Sequence, residues 1–164
     1  SNVALKKLVL AGNYGIGDEG WRAIGACLAS STALEELDLS GCDIEAAGAT
    51  AIGEGLRSNV ALKKLVLAGN YGIGDEGWRA IGACLASNTA LEALDLTYCG
   101  IGAAGATAIG EGLRSNVALK KLILSYSAGS RIGQDAATSL LQSVGRALSH
   151  ARPSFAIRWE EEEY

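Results

Sequence analysis

The chain has 164 residues, of which 49% are hydrophobic, and it carries a formal net charge of −4 with Lys and Glu interspersed. Such a charge pattern lacks the basic stripe of a nucleic-acid-binding surface, so we expect no nucleic-acid partner. No apolar run approaches the roughly 18 residues of a membrane span, so we expect no membrane partner either.

The chain repeats itself with a long period. Residues 1–57 align without a gap with residues 58–114 and differ from them at six positions. A third copy opens at Ser115 and then diverges. A fixed long period predicts a solenoid, in which each unit packs mainly on its neighbours. Because the repeats start at the first residue and the chain has no methionine, we expect an excised piece of a longer array or an engineered product.

Within the long period lies a shorter one. The pattern LxxLxLxx(N/C) recurs at spacings of 29, 28, 29 and 28 residues, with its last position varied in the fifth unit, and it begins at Leu5, Leu34, Leu62, Leu91 and Leu119. Its alternation predicts short strands with inward leucines near residues 7–10, 36–39, 64–67, 93–96 and 121–124. An apolar stripe at helical spacing follows each strand, and Asp18 and Asp75 are candidate caps of two of these helices. Strands joined by helical crossovers must be parallel.

These residues resemble the ribonuclease-inhibitor-type leucine-rich repeats, in which repeats of 28 and 29 residues alternate. The resemblance covers about residues 1–159. It implies a right-handed α/β horseshoe solenoid with a parallel sheet on the concave side and helices on the convex side. It also implies a closing strand near residues 155–158, followed by an acidic tail at residues 160–164. The ninth-position residues would turn inward and bond loop backbone groups; they are Asn13, Cys42, Asn70 and Cys99.

The same resemblance bears on function, because the family includes the repeat domains of NOD-like receptors and the activators of the Ran GTPase. It implies a protein-interaction module that binds a protein partner through its concave face and ascending loops. Two alternatives remain open at this point: a GTPase-activating solenoid and an engineered scaffold without a natural partner. We find no nucleophile–base pair, phosphate loop or metal cluster in the sequence, so we expect no catalysis, no cofactor and no metal.

Four cysteines lie at equivalent places in the copies: Cys27, Cys42, Cys84 and Cys99. Equivalent cysteines two units apart would be separated by roughly 10 Å, beyond the reach of a disulfide. We therefore expect buried free thiols in a reducing compartment, which favours a cytoplasmic location.

The six differences between the copies point to a surface. Three lie beside the predicted strands, two in the ascending loops and one in a return loop, while the inward leucines are unchanged. This pattern favours diversification of a binding face. We take as the candidate patch the residues Lys64, Ala93, Asp95, Thr97, Tyr98, Lys121 and Tyr126. The alternatives are that the two tyrosines fill space beside the insertion at residues 127–131, and that alternating Lys and Glu serve only as cross-strand pairs.

The front of the array shows no cap in the sequence. Leu5, Leu8 and Leu10 begin the stack, and terminal units of a solenoid normally carry a polar cap. We expect self-association through this uncapped amino-terminal repeat.

Overall fold

The computed structural model describes residues 4–126, 138, 142 and 156–161, with side chains through Leu124 in the repeats. Five units follow one another, each opening with a strand. The elements are β1 Lys7–Val9, α1 Gly17–Ser30, β2 Glu36–Asp38, α2 Ala46–Ser58, β3 Lys64–Val66, a 3₁₀ turn Tyr71–Ile73, α3 Gly74–Ser87, β4 Ala93–Leu96, α4 Ala103–Ser115, β5 Lys121–Tyr126 and β6 Ala156–Glu161. Units one to four are the pairs β1–α1 to β4–α4, and unit five begins with β5.

All six strands form one parallel sheet in the order of the sequence. The helices α1 to α4 pack on each other in the same order. The predicted α/β solenoid, with its parallel sheet on the concave side and its helices on the convex side, is confirmed. The last strand, β6, extends to Glu161, two residues into the segment for which the sequence predicted an acidic tail.

The core lies between the sheet and the helices. In the second unit Leu37 is 1% exposed and Leu39 is fully buried, because alternate strand residues point to the same face. The two repeated tryptophans are core residues as well, since Trp21 is 2% exposed and Trp78 is fully buried. One continuous apolar layer therefore joins the units and holds the strands in register.

Glycines set the close approach of neighbouring helices. A Cβ on Gly82 in α3 would overlap the backbone carbonyl oxygen of Ala108 in α4. One on Gly105 would lie 2.7 Å from Cδ1 of the Trp78 indole. The α1–α2 pair repeats both contacts at the equivalent residues. Small residues at these places bring the helices together and limit the curvature of the stack.

Two expectations are wrong in this structure. The helices α1 and α3 begin one residue before Asp18 and Asp75, and neither has a side-chain cap hydrogen bond. The two carboxylates lie instead in the first turn, where they complement the helix dipole. Cys27 is exposed rather than buried, although its equivalent Cys84 is buried. The reason is that unit two covers Cys84, whereas no described residues cover the front of α1.

Candidate partner-binding face

The loops that follow the strands are anchored by buried side chains. The amide nitrogen of Asn70 donates to the carbonyl oxygens of Leu39, at 2.9 Å, and Leu67, at 2.7 Å. Its amide oxygen accepts from the backbone nitrogens of Cys42 and Ile44, both at 3.0 Å. Asn70 is fully buried, so these four bonds satisfy loop backbone groups that lack ladder partners. The loop of unit two is thereby fixed to the loop of unit three.

Cysteine alternates with asparagine at this position. The thiol of Cys42 donates to the carbonyl oxygen of Leu10 at 3.0 Å, and that of Cys99 donates to Leu67 at 3.1 Å. Burial raises the pKa of the Cys99 thiol to about 12, so the thiol stays protonated and able to donate. Asn13, in the first unit, is exposed and donates to Leu10 at 2.7 Å.

A second asparagine ladder, which the sequence reasoning missed, runs through the return loops. Asn88 donates to the carbonyl oxygens of Leu56 at 2.7 Å and Asn59 at 3.1 Å, and its own oxygen accepts from the backbone nitrogen of Leu91 at 2.8 Å. Asn59 and Asn116 make the equivalent bonds one unit earlier and one unit later. Each asparagine thus satisfies a carbonyl in the last turn of the helix that belongs to the unit before its own. The signal was present in the sequence, because these asparagines are spaced by 29 and 28 residues.

Two of the six differences between the copies therefore have a structural account. Asn88, which replaces Ser31, belongs to the return-loop ladder. Thr97, which replaces Ser40, is only 8% exposed, and its hydroxyl donates to Asp95, as the hydroxyl of Ser40 does to Asp38. Thr97 therefore offers little surface to a partner. The four remaining differences lie at partly or fully exposed positions; they are Glu36/Ala93, Gly41/Tyr98, Asp43/Gly100 and Glu45/Gly102.

Charges alternate along the concave sheet as the sequence predicted. Lys6 contacts Glu35 at 2.7 Å, and Lys120 contacts Glu92 at the same distance. All four side chains are at least 40% exposed, so solvent screens both pairs and their contribution to stability is small. The pairs support the strand register. Because they contribute little to stability, the surface positions on these strands can change without loss of the fold.

The candidate patch lies where this alternation breaks. Lys64 and Lys121 are exposed on either side of the partly buried Ala93, which stands where the second unit has Glu36. Among residues 4–126, neither lysine has an ion-pair partner. Asp95, the next residue of β4 on this face, is partly buried and bonded to the Thr97 backbone nitrogen at 3.0 Å.

Tyrosines border the patch at the carboxyl ends of the strands. Tyr98 is partly exposed and has φ +54°, where the equivalent residue of unit two is Gly41 with φ +56°. A side chain in this left-handed region costs roughly 1–2 kcal/mol. Tyr71, which the sequence reasoning did not single out, is 68% exposed and adjoins the loop at Gly100. Tyr126 is the last residue of β5, the strand of the unit that follows the unit of Tyr98. Its side chain lies outside the described part of the chain.

The ascending loops of units one and two form a different surface. There a cleft of about 280 Å³ is lined by Tyr14, Asp18, Asp43 and Glu45, among others. The second copy has glycines in place of two of these carboxylates. Residues 1–57 contain four basic and eight acidic residues, whereas residues 58–114 contain four basic and five acidic residues. The array is therefore more acidic at its front than in its middle.

Two further classes of site, a membrane-spanning helix and a metal centre, are absent from the described residues. None of the helices among them is both long enough and apolar enough to span a membrane. No group of three or more His, Cys, Asp or Glu side chains among them is arranged to hold a metal ion.

Comparison with known proteins finds the same repeats. The family model described as "Leucine Rich repeat" matches residues 1–25, 30–53, 58–82 and 87–110. Leucine-rich repeat-containing protein 45 of Gallus gallus is 33% identical over 89 residues, which are 54% of this chain and 13% of that protein. The chain thus corresponds to a small part of this relative's length.

Two solved structures share the fold. The structure titled leiomodin-1 actin-binding site 2 has a TM-score of 0.70 at 20% identity, with 87% of this chain and 80% of that one covered. The carboxyl-terminal domain of tropomodulin from Caenorhabditis elegans has a TM-score of 0.68 at 13% identity, with 89% and 86% covered. At these identities the likeness concerns the fold.

Proposed function

Because four repeat matches together cover more than half of its sequence, this chain belongs to the leucine-rich repeat family, and we propose that it is a protein-binding module whose partner contacts the concave strands of units three to five and the ascending loops of units three and four. The observation that carries this proposal is the distribution of differences between the copies. Every surface difference lies on the strands or ascending loops, and the exposed convex residues Arg22, Glu54 and Arg57 have identical equivalents. Drift over the whole surface would have altered the helices as well.

The tyrosines support the same face. Aromatic side chains are enriched among the residues that dominate binding energy in protein interfaces. Tyr71 is 68% exposed, and Tyr98 occupies a backbone conformation that disfavours any side chain. Backbone strain of this kind is concentrated at functional sites, which supports a functional role for the position of Tyr98.

We infer that the repeats are of the ribonuclease-inhibitor type, because strand–helix units of 28 and 29 residues alternate and Asn alternates with Cys in the ladder. We propose binding rather than catalysis as the role of the chain, within a longer array of a regulatory or innate-immune repeat protein. The four free thiols favour a reducing compartment and thus a cytoplasmic location.

Actin is the first partner to assay. One solved structure with this fold is titled an actin-binding site, and it covers 87% of this chain. The choice rests on shared fold, so we propose actin as a candidate and the candidate patch as the surface that would contact it.

We also propose that the chain self-associates through the front face of unit one. Leu5 is 42% exposed there, whereas its equivalent Leu62 is fully buried against unit two. Cys27 and Asn13 are exposed on the same face. Exposed apolar surface beside a strand whose outer edge has no neighbouring strand among the described residues favours association. A clean monomer in sedimentation at high protein concentration would contradict this proposal.

The binding proposal is tested with matched tyrosine variants. Tyr71→Ala removes an exposed ring beside the candidate patch, and Tyr14→Ala removes the same residue, 72% exposed, from the identical segment of the first copy. We expect Tyr71→Ala, and Tyr98→Ala combined with Tyr126→Ala, to weaken binding to actin or to a captured partner, and Tyr14→Ala to leave it unchanged. Equal affinity of all these variants would refute the proposed face.

A further inference from the structure

One position breaks the charge pattern of the sheet. In the first copy Glu36 lies in register between Lys7 and Lys64, and its carboxylate contacts the Lys7 amine at 3.3 Å. In the second copy Ala93 lies in register between Lys64 and Lys121. Two exposed ammonium groups therefore flank a methyl group where the fold elsewhere supplies a carboxylate.

We propose that a carboxylate of the partner protein, from an Asp or Glu side chain, occupies the space above Ala93 and accepts hydrogen bonds from Lys64 and Lys121. The proposal rests on the proposed binding function and specifies the chemistry of the partner. The partner segment would be acidic, and it would supply the charge that Glu36 supplies inside the first copy.

The spacing of the strands fits one carboxylate. Adjacent strands lie about 4.8 Å apart, so the backbones of Lys64 and Lys121 are separated by roughly 10 Å across Ala93. Long flexible side chains can bring both amines to a single group between them, as Lys7 reaches Glu36 across one strand spacing. Asp95 does not fill this role, because its carboxylate already accepts from the backbone nitrogen and hydroxyl of Thr97.

Lysines lie on both cross-strand sides of the position, and Glu36 adjoins Lys64 from the second unit. Lys63 and Lys120 precede Lys64 and Lys121 on their strands, and only Glu92 lies between them. A hydrogen bond from Lys120, together with the nearby charges of Lys120 and Lys63, lowers the pKa of the Glu92 carboxyl. A carboxylate above Ala93 would have Lys64 and Lys121 in the cross-strand places that Lys63 and Lys120 hold beside Glu92.

The test uses a simple acidic probe and the two copies as each other's control. A capped hexaglutamate peptide is titrated into the isotopically labelled chain at low salt, and amide shifts are followed by NMR. Hexaglutamine and inorganic phosphate at equal ionic strength are the parallel titrations. The variants are Ala93→Glu, which installs the residue of the first copy, Ala93→Gln, which has its size without its charge, and Glu36→Ala, which opens the equivalent gap between Lys7 and Lys64.

We expect hexaglutamate to shift the amide signals of Lys64, Ala93 and Lys121. Ala93→Glu should lower the affinity for hexaglutamate about fivefold, and Ala93→Gln should change it little. Glu36→Ala should add a second set of shifts around Lys7. Equal weakening by Glu and Gln, shifts of equal size with phosphate or hexaglutamine, or no localised shifts would each overturn the proposal. If Tyr71→Ala still abolishes partner binding in that case, the binding face stands and only its proposed acidic partner is wrong.

Discussion

The side-chain amide of Asn88 donates to the backbone carbonyl of Asn59 at 3.1 Å, and Asn116 repeats this bond to Asn88 at 3.0 Å one unit later. This return-loop ladder lies at one end of the strands, and the ladder of Asn70 and Cys99 lies at the other. Backbone groups at both ends are therefore satisfied by buried residues. The exposed strand positions between the ladders can vary without loss of the fold.

Replacing Asn88 with Ser, the residue of the first copy, should destabilise the chain. The buried amide makes four hydrogen bonds to backbone groups of the loop and of the preceding unit. Leaving such groups unsatisfied costs about 1–3 kcal/mol. The free energy of unfolding in urea is the measurement, and Ser31→Asn is the matched control, which we expect to be neutral or stabilising. An Asn88→Ser variant as stable as the parent would show that this ladder contributes nothing.

Tyr98→Gly should stabilise the fold while it weakens partner binding. The residue has φ +54°, which glycine adopts freely, so the free energy of unfolding should rise by about 0.5–1 kcal/mol. The reverse change in the first copy, Gly41→Tyr at φ +56°, should lower it by a similar amount. Thermal unfolding of the two variants compares them directly. A loss of stability in Tyr98→Gly would mean that the ring contributes mainly to packing.

Gly82→Ala should be strongly destabilising. The added methyl group would overlap the carbonyl oxygen of Ala108, and a backbone atom of a packed helix cannot move aside cheaply. We expect a loss of about 2 kcal/mol or more in the free energy of unfolding. Gly15→Ala is the control, because a Cβ at Gly15 meets no atom within 4 Å. Equal stability of the two variants would mean that α3 and α4 do not approach this closely.

The thiols give a prediction about pH. Burial raises the pKa of both Cys84 and Cys99 from 9.0 to about 12. Because the unfolded chain loses these protons first, their contribution to stability is fully present below pH 9 and is lost as the pH rises to about 12. A variant with Cys84→Ala and Cys99→Ala should show a flatter decline of the unfolding free energy over this range. An unchanged slope would contradict the assignment.

Much of this architecture could be predicted from sequence, because strand alternation and repeat spacing are local signals that repeat five times. The register of Lys7, Glu36 and Lys64 followed from that spacing alone. The exposure of Cys27 did not, because an identical segment is buried only when another unit covers it. The low exposure of Thr97 was also missed, since the strand pattern places it on the concave side and only the bond to Asp95 shows how it turns.

The candidate site was predictable only in outline. Differences between the copies pointed to positions on the concave strands and ascending loops, but the sequence did not separate the ladder residue Asn88 from exposed positions such as Gly100. Tyr71 escaped notice because it is identical to Tyr14, and its proximity to Gly100 is a property of the fold rather than of the repeat.

The central claim is that the second copy was diversified for binding, and exchanging its surface with that of the first copy tests it most directly. The exchange variant carries Ala93→Glu, Tyr98→Gly, Gly100→Asp and Gly102→Glu. The partner is captured on the immobilised parent chain and purified, and its affinity for both chains is then measured by calorimetry. We predict that the exchange variant folds with about the stability of the parent, because the strain relieved at Tyr98 is offset by the side chain added at Gly100, where φ is +60°, and that it binds about tenfold more weakly or worse. An unchanged affinity in a folded exchange variant would contradict the claim.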